Sequence, residues 1–269
     1  MVNNIPILIT GCQRSGTTLC SLILDSHPDV TALDEDTFEA MRLPHYLSHP
    51  DFSPCVAFKL PTSAHEVACF HELSHLKVLW CLRDPRDVLA SMLTLPLGLN
   101  PDPVCWAIHP LGAPKEIHYC LSALGCTFHP RRLGFSKAFQ QIQTKSPHLQ
   151  SREDAVFCGS LCWRLKAELL SLYDRLQIDY ALVRYEDLVQ NPEHTLKPLL
   201  AYLDLPWHAD LLRHHDLHEG IAVGRTDRSR AIDTQSIGKW KKQLQPGDID
   251  VLRVVCEDLP EKLGYDLSI

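Results

Sequence analysis

The chain has 269 residues, 45% hydrophobic and 22% charged, enough apolar material for one large domain or two small ones and far from a disordered or fibrous composition. Its 26 Lys and Arg against 33 Asp and Glu leave a net charge of −7, which excludes a general affinity for nucleic acid or an anionic membrane and requires any bound anion to be held locally. The 11 Cys accompany an N-terminus, MVNNIPILITGCQRSG, without a basic n-region or apolar h-region, and no run of about 20 apolar residues is free of breakers. The expectation is a cytoplasmic chain with mostly reduced thiols and no membrane span.

In chain order, Ile5–Thr10 is an apolar run stopped by Gly11 and reads as a buried strand. Thr17–Leu24 follows as a helix with Leu19, Leu22 and Ile23 on its apolar face. Cys55–Leu60 before Pro61 and Lys77–Leu82 before Asp84-Pro85 read as two more strands, followed by helical patterns at Ser63–Leu73 and Arg86–Leu93. This alternation predicts an α/β fold, a parallel sheet flanked by helices. From Leu95 to about Ser151 the residues Pro96, Pro101, Pro103, Pro110, Pro114, Pro130 and Pro147 interrupt every periodicity, so the segment reads as an insertion, either a lid or binding loop or a disordered stretch. The amphipathic stretch Gly159–Leu176, a candidate homodimer contact, leads to a fourth strand, Tyr180–Val183, and a helix over Thr195–Leu203. Gly220–Gly238 is polar and irregular, and a helix around Ile249–Leu263 closes what reads as a single domain.

The sharpest feature is Ile5–Leu19, an apolar strand, a turn containing Gly11 and Gly16, and a helix starting near Thr17. Backbone N–H groups at such a helix N-terminus, with the positive end of the macrodipole, make an anion site. The spacing is that of a phosphate-binding P-loop, Gly11 and Gly16 standing five apart, but Thr17 occupies the place of the Lys that serves a nucleoside triphosphate. Ordinary ATP or GTP chemistry is thereby disfavoured. The cation is Arg14, inside the loop; the bland alternative is a glycine-rich turn with an exposed Arg.

Arg14-Ser15-Gly16-Thr17-Thr18 resembles the 5′-phosphosulfate loop of the sulfotransferases that use 3′-phosphoadenosine-5′-phosphosulfate (PAPS). A second match stands at Arg83-Asp84-Pro85-Arg86-Asp87-Val88-Leu89-Ala90-Ser91, where the family binds the 3′-phosphate with an Arg at a strand end and a Ser eight residues later. An Arg supplies a permanently charged bidentate fork and the Ser a hydroxyl. Leu24-Asp25-Ser26-His27-Pro28-Asp29-Val30, Tyr185-Glu186-Asp187-Leu188-Val189, Trp207, Lys239-Trp240 and Lys262-Leu263-Gly264-Tyr265-Asp266 bring the resemblance closest to the tyrosylprotein sulfotransferase branch. Leu95–Ser151 lies outside it.

That resemblance implies sulfuryl transfer from PAPS to a hydroxyl or amine acceptor, releasing the 3′,5′-bisphosphate PAP and requiring no metal. Arg14 would stabilise the sulfuryl and leaving oxygens, and Glu35, 21 residues beyond Arg14 as in that branch, would be the general base. By itself, Asp34-Glu35-Asp36 is either a solvated acidic turn or a group of carboxylates that raise one another's pKa. Lys59 matches a position that reaches the sulfate; as a Lys at a strand's carboxyl end it points into the crevice where α/β sheets bind ligands. Ser229 matches a cofactor-binding Ser, Lys239 a position near the 3′-phosphate, and Tyr185 a position near the adenine, with core packing the alternative for Tyr185. The branch's two Arg residues that grip acidic peptides are Thr37 and Met41 here. The expectation is therefore a bacterial-type enzyme for a small alcohol, phenol, sugar or lipid-like acceptor, a peptide acceptor being the alternative. Competing readings are a P-loop kinase and a catalytically silent nucleotide-binding module. Cys105, His109, His118, Cys120, Cys126 and His129 carry soft-metal ligand types without paired spacing, so no zinc site is expected.

Overall fold

The apolar run at the N-terminus forms strand β1 (Ile5–Gly11), in which Ile7, Leu8 and Ile9 are fully buried. Burial on both faces is the condition of a central strand in a helix-covered parallel sheet. The computed structural model describes residues 5–35, 55–66, 75–97, 104–125, 151–222 and 224–268. In it β1 is followed by α1 (Thr17–Asp25), β2 (Val30–Leu33), β3 (Cys55–Lys59), β4 (Lys77–Leu82) and, much later, β5 (Tyr180–Arg184). The sheet order is β2-β3-β1-β4-β5, and every pairing is parallel. Its register sets Ile9 beside Lys59 and Gly11 beside Cys81, so the carboxyl ends of all five strands lie along one edge.

The described residues group into two compact units, Met1–Arg83 with Tyr173–Thr234, and Asp84–Leu172 with Gln235–Ile269. The first contains the sheet. There Ile7, Ile9, Leu79 and Val183 bury against Ile23 and Leu24 of α1 and against Leu196, Leu199 and Leu200 of helix Pro192–Tyr202. Trp80 of β4 meets Tyr173 edge-on at 4.9 Å between ring centroids, and the Tyr173 hydroxyl donates to the Ala64 carbonyl at 3.1 Å. Each aromatic thus buries its area and Tyr173 satisfies its polar tip.

The second unit is helical. Its first helix, α2 (Pro85–Thr94), starts with Pro85 in the first turn and with the Asp84 carboxylate accepting the Arg86 N–H at 2.8 Å. Part of the segment expected as an irregular insertion is core here: helix α3 (Ala113–Leu124) buries Ile117 and Cys120 completely. Pro114 sits in its first turn, where a missing N–H costs nothing, and Gly125 at φ 62° ends it, so one proline taken as a breaker is a helix start. Residues 98–103 and 126–150 of that segment lie outside the described residues, as does most of the helix expected over Ser63–Leu73, where the described part is a 3₁₀ turn at Pro61–Ser63. The long helix α4 (Arg152–Arg175) begins earlier than its amphipathic pattern predicts. The closing helix is two, α5 (Pro246–Cys256) and a short turn at Leu259–Lys262, separated where Glu257 takes φ 51°. Among the elements not anticipated are the four-residue edge strand β2, the helix Tyr185–Gln190 and the 3₁₀ helix Ala209–Asp216.

Candidate active site

Residues 12–16 turn the chain from β1 into α1. Gly11 takes φ 128°, and a Cβ there would run into the Cys81 carbonyl oxygen, so the position accepts only glycine. Gly16 takes φ 92° as the N-cap of α1, and a Cβ there would stand 2.6 Å from Tyr185 Cδ2. Helix α1 has neither a side-chain cap nor an acidic residue in its first turn, which leaves its leading N–H groups and positive dipole end to whatever fills the loop. Ser15 is 1% exposed, and its Oγ has no hydrogen-bond partner among the described residues; the side-chain amide of Gln13 is in the same condition. Buried polar atoms are almost always paired. A loop of unsatisfied donors at a helix N-terminus fits an oxygen-rich anion.

Two guanidiniums meet this loop. Arg14, at φ 72°, donates from Nη1 to the Gly224 carbonyl at 2.8 Å. The buried Arg83 donates from Nη1 to the Arg14 carbonyl at 3.1 Å and lies 4.3 Å over the ring of Tyr185. Burial first, and the charge of Arg83 second, pull the Arg14 pKa below the ordinary arginine value. An anion between such groups relieves their repulsion. Tyr185 therefore packs against Gly16 and stacks on Arg83, so it shapes the loop as well as filling core.

Within the first turn of α1, Thr18 opens a second cluster. Lys59 is 1% exposed at the end of β3; its Nζ lies 3.4 Å from Thr18 Oγ1, 2.7 Å from Asp34 Oδ1 and 3.1 Å from Glu35 Oε1. The Glu35 N–H donates to Asp34 Oδ1 at 2.6 Å, and Arg228 Nη2 stands 3.8 Å from Asp34 Oδ2. The sequence reading of mutually repelling carboxylates thus omitted the buried ammonium placed against both. Asp34 is the hub that reading missed, although it stood in the same acidic run. The Gly224 carbonyl on Arg14 left no sequence signal, being 210 residues away.

Not every expected residue joins these clusters. The Ser229 hydroxyl and N–H both donate to Asp227 Oδ1, at 2.7 and 3.0 Å, and none of its described hydrogen bonds reaches the loop. Ser91 and Lys239 belong to the second unit, where Ser91 lies on α2 and Lys239 immediately precedes a short helix, Trp240–Gln243. Thr37 and Met41 fall outside the described residues. Among the described residues there is no group of three or more His, Cys, Asp and Glu placed to hold a metal. None of the described helices is long and apolar enough to cross a membrane.

The parallel sheet, its flanking helices and the strand-turn-helix loop with unsatisfied polar groups at the carboxyl ends of its strands define an α/β fold. The chain belongs to the sulfotransferase domain family, whose model matches residues 4–265. It is 29% identical over 271 residues to protein-tyrosine sulfotransferase 1 of Danio rerio, an alignment covering 97% of this chain and 72% of that protein. A protein-tyrosine sulfotransferase of Drosophila melanogaster is 32% identical over 95 residues, covering 32% of this chain and 18% of the relative. The fold is that of the sulfotransferase domain from the curacin biosynthetic pathway, with TM-score 0.58 and 16% identity over 99% of both chains. It is shared by the sulfotransferase domain of the Synechococcus PCC 7002 olefin synthase, with TM-score 0.55 and 16% identity over 99% of this chain and 96% of that one.

Proposed function

We propose that this chain transfers the sulfuryl group of PAPS to an acceptor hydroxyl. The observation that carries the reading is the juxtaposition on one sheet edge of an anion loop, braced by Arg14 and Arg83, with Lys59 flanked by Asp34 and Glu35. Bound PAPS supplies an activated sulfuryl group whose bond to the 5′-phosphate oxygen breaks as the acceptor oxygen bonds to sulfur. The loop N–H groups with Ser15, Gly16, Thr17 and Thr18 hold the 5′-phosphosulfate. Arg14 and Lys59 balance the charge that grows on the bridging oxygen. Glu35 takes the acceptor's proton. Arg83, Ser91 and Lys239 are assigned to the 3′-phosphate, Tyr185 to bracing the loop beside the nucleotide, and Ser229 to a cofactor contact that requires its bond to Asp227 to open. Thr17 in place of a P-loop Lys counts against a kinase, and a silent binding module has no use for Glu35 beside Lys59.

The acceptor in this reading is a small alcohol or phenol, supported by Thr37 and Met41 standing where the resembling branch has its peptide-gripping arginines. A tyrosine peptide is the second reading, favoured by the protein-tyrosine sulfotransferases among the relatives. Cytoplasmic residence is part of the proposal, consistent with the nine described cysteines all being free thiols. The test is sulfate transfer from PAPS to a panel of phenols, alcohols and acidic tyrosine peptides. Transfer is expected to fall by about 10²–10⁴-fold in Glu35→Gln with PAP affinity retained. Unchanged turnover in that variant removes Glu35 as the base. Failure of every acceptor, together with Mg²⁺-dependent ATP turnover, moves the chain to the kinase class.

A further inference from the structure

We propose that Asp87 is a positioning residue for nucleotide selection: it fixes the Gly238–Trp240 segment so that Lys239, with Ser91, discriminates a 3′-phosphorylated nucleotide from its 3′-hydroxyl counterpart. The inference rests on the sulfotransferase reading above and adds to it a residue that has no contact role there.

Asp87 lies in the first turn of α2 and is 2% exposed. A carboxylate buried to that degree persists only where strong donors meet it. Both oxygens are engaged by one short segment: the Gly238 N–H donates to Oδ2 at 2.7 Å and the Trp240 N–H to Oδ1 at 3.0 Å. Gly238 is left-handed at φ 72°, and Lys239 follows in the right-handed region at φ −56°, ψ −30°. This succession turns the flanking N–H groups to the same side and forms a small anion cradle. The anion in the cradle is the chain's own carboxylate, so Lys239 is held by the residue on either side of it.

A second contact seals the arrangement. Arg86 donates from Nε and Nη2 to the Asp84 carboxylate at 3.0 and 2.8 Å, and its guanidinium lies 4.3 Å over the Trp240 ring. Ser91 follows Asp87 by four residues on the same helix and shares its face. The carboxylate that anchors the Lys239 segment and the hydroxyl of Ser91 therefore belong to one stripe of α2. Asp87 accepts hydrogen bonds from these two backbone amides and acts through Lys239.

The test compares dissociation constants for PAP and 5′-AMP, which differ in the 3′-phosphate, for the wild type, Asp87→Asn, Lys239→Ala and the double variant. Asn keeps the shape but turns an NH₂ toward one of the two amides. PAP binding is expected to weaken about tenfold in Asp87→Asn, about 1.4 kcal/mol, with 5′-AMP binding within about twofold of the wild type. The double variant is expected to bind PAP no more weakly than Lys239→Ala alone, as two residues acting as one unit require. Equal weakening of both nucleotides, or losses that add in the double variant, make Asp87 a structural staple and overturn the proposal. Gly238→Ala strains the same cradle from the other side without altering α2, so it decides the matter if Asp87→Asn does not fold: selective loss of PAP supports the proposal, and equal loss overturns it. A wild-type protein that binds PAP no better than 5′-AMP overturns the sulfotransferase reading itself, an outcome read before any variant is made.

Discussion

Residue by residue, the loop depends on what is absent at Gly16. Its φ of 92° already disfavours a side chain, and the atom that a Cβ would strike belongs to a ring pinned beneath the Arg83 guanidinium. Gly16→Ala is expected to cost about 1–3 kcal/mol in chemical denaturation and to weaken PAP binding as well. Replacing Tyr185 by Leu in the same chain should return part of that stability and so locate the clash. A second residue carries a pH dependence. His214 is 1% exposed, and burial first, with the charges of His215 and His218 next, lowers its pKa from 6.5 to about 4. Between those values the unfolded chain binds a proton at this position that the folded chain does not, so stability falls as pH drops from about 6.5 toward 4 and is unaffected above that window. From pH 7 to pH 5 the wild type should lose about 2 kcal/mol more than His214→Gln in urea unfolding. Equal losses would place the acid sensitivity elsewhere. The loop residues themselves were legible in the sequence because a strand-turn-helix with two glycines is local, within Ile5–Leu19. Asp34 as the partner of Lys59 was not, since the ion pair joins different strand ends and no spacing rule connects positions 34 and 59.

Among the elements, legibility followed the hydrophobic pattern. Lys77–Leu82 is a strand over the expected residues, and β1 and β3 differ from expectation by one residue at their carboxyl ends, because central strands of a parallel sheet are continuous apolar runs. The edge strand β2 escaped because four residues with one buried position give no run to read. Helix α3 escaped because proline at a helix start looks, without its context, like proline in a loop. Its packing also hides a charge pair that no apolar pattern displays: Glu116 of α3 and Lys166 of α4, 2.7 Å apart and 2% and 0% exposed at their side chains. Burial alone would push the Lys166 pKa down, and the Glu116 carboxylate overrides it and holds the ammonium well above its ordinary range. Removing one partner leaves the other charge buried, so Glu116→Gln is expected to destabilise the chain by about 3–5 kcal/mol. The double replacement Glu116→Leu with Lys166→Met should recover most of that loss, because it removes both desolvation costs. A double variant as unstable as the single one would show that the pair, and not the uncompensated charge, sustains α3 against α4.

For the molecule as a whole, a net charge of −7 and an anion loop pull in opposite directions, and the loop has to win at short range. Arg14 and Arg83 meet at its backbone, whereas Lys59 is already balanced by Asp34 and Glu35. In the function proposed above, a nucleotide whose negative groups meet the arginines suits this arrangement. One that depends on a P-loop lysine finds Thr17 instead and brings its charge into an acidic protein. PAP binds only the native chain in this reading, so at about 100 times its dissociation constant it should add about 2.7 kcal/mol to the unfolding free energy. For a chain of this size that is a rise of roughly 5–10 °C in the thermal midpoint. ATP with Mg²⁺ at the same concentration should leave the midpoint where it is, and raising the salt concentration should shrink the PAP shift only modestly, since the cations that meet the nucleotide are largely buried. A shift with ATP–Mg²⁺ and none with PAP would show that the loop serves a triphosphate despite Thr17, and the chemistry assigned to Glu35 and Lys59 would have to be rebuilt around phosphoryl transfer.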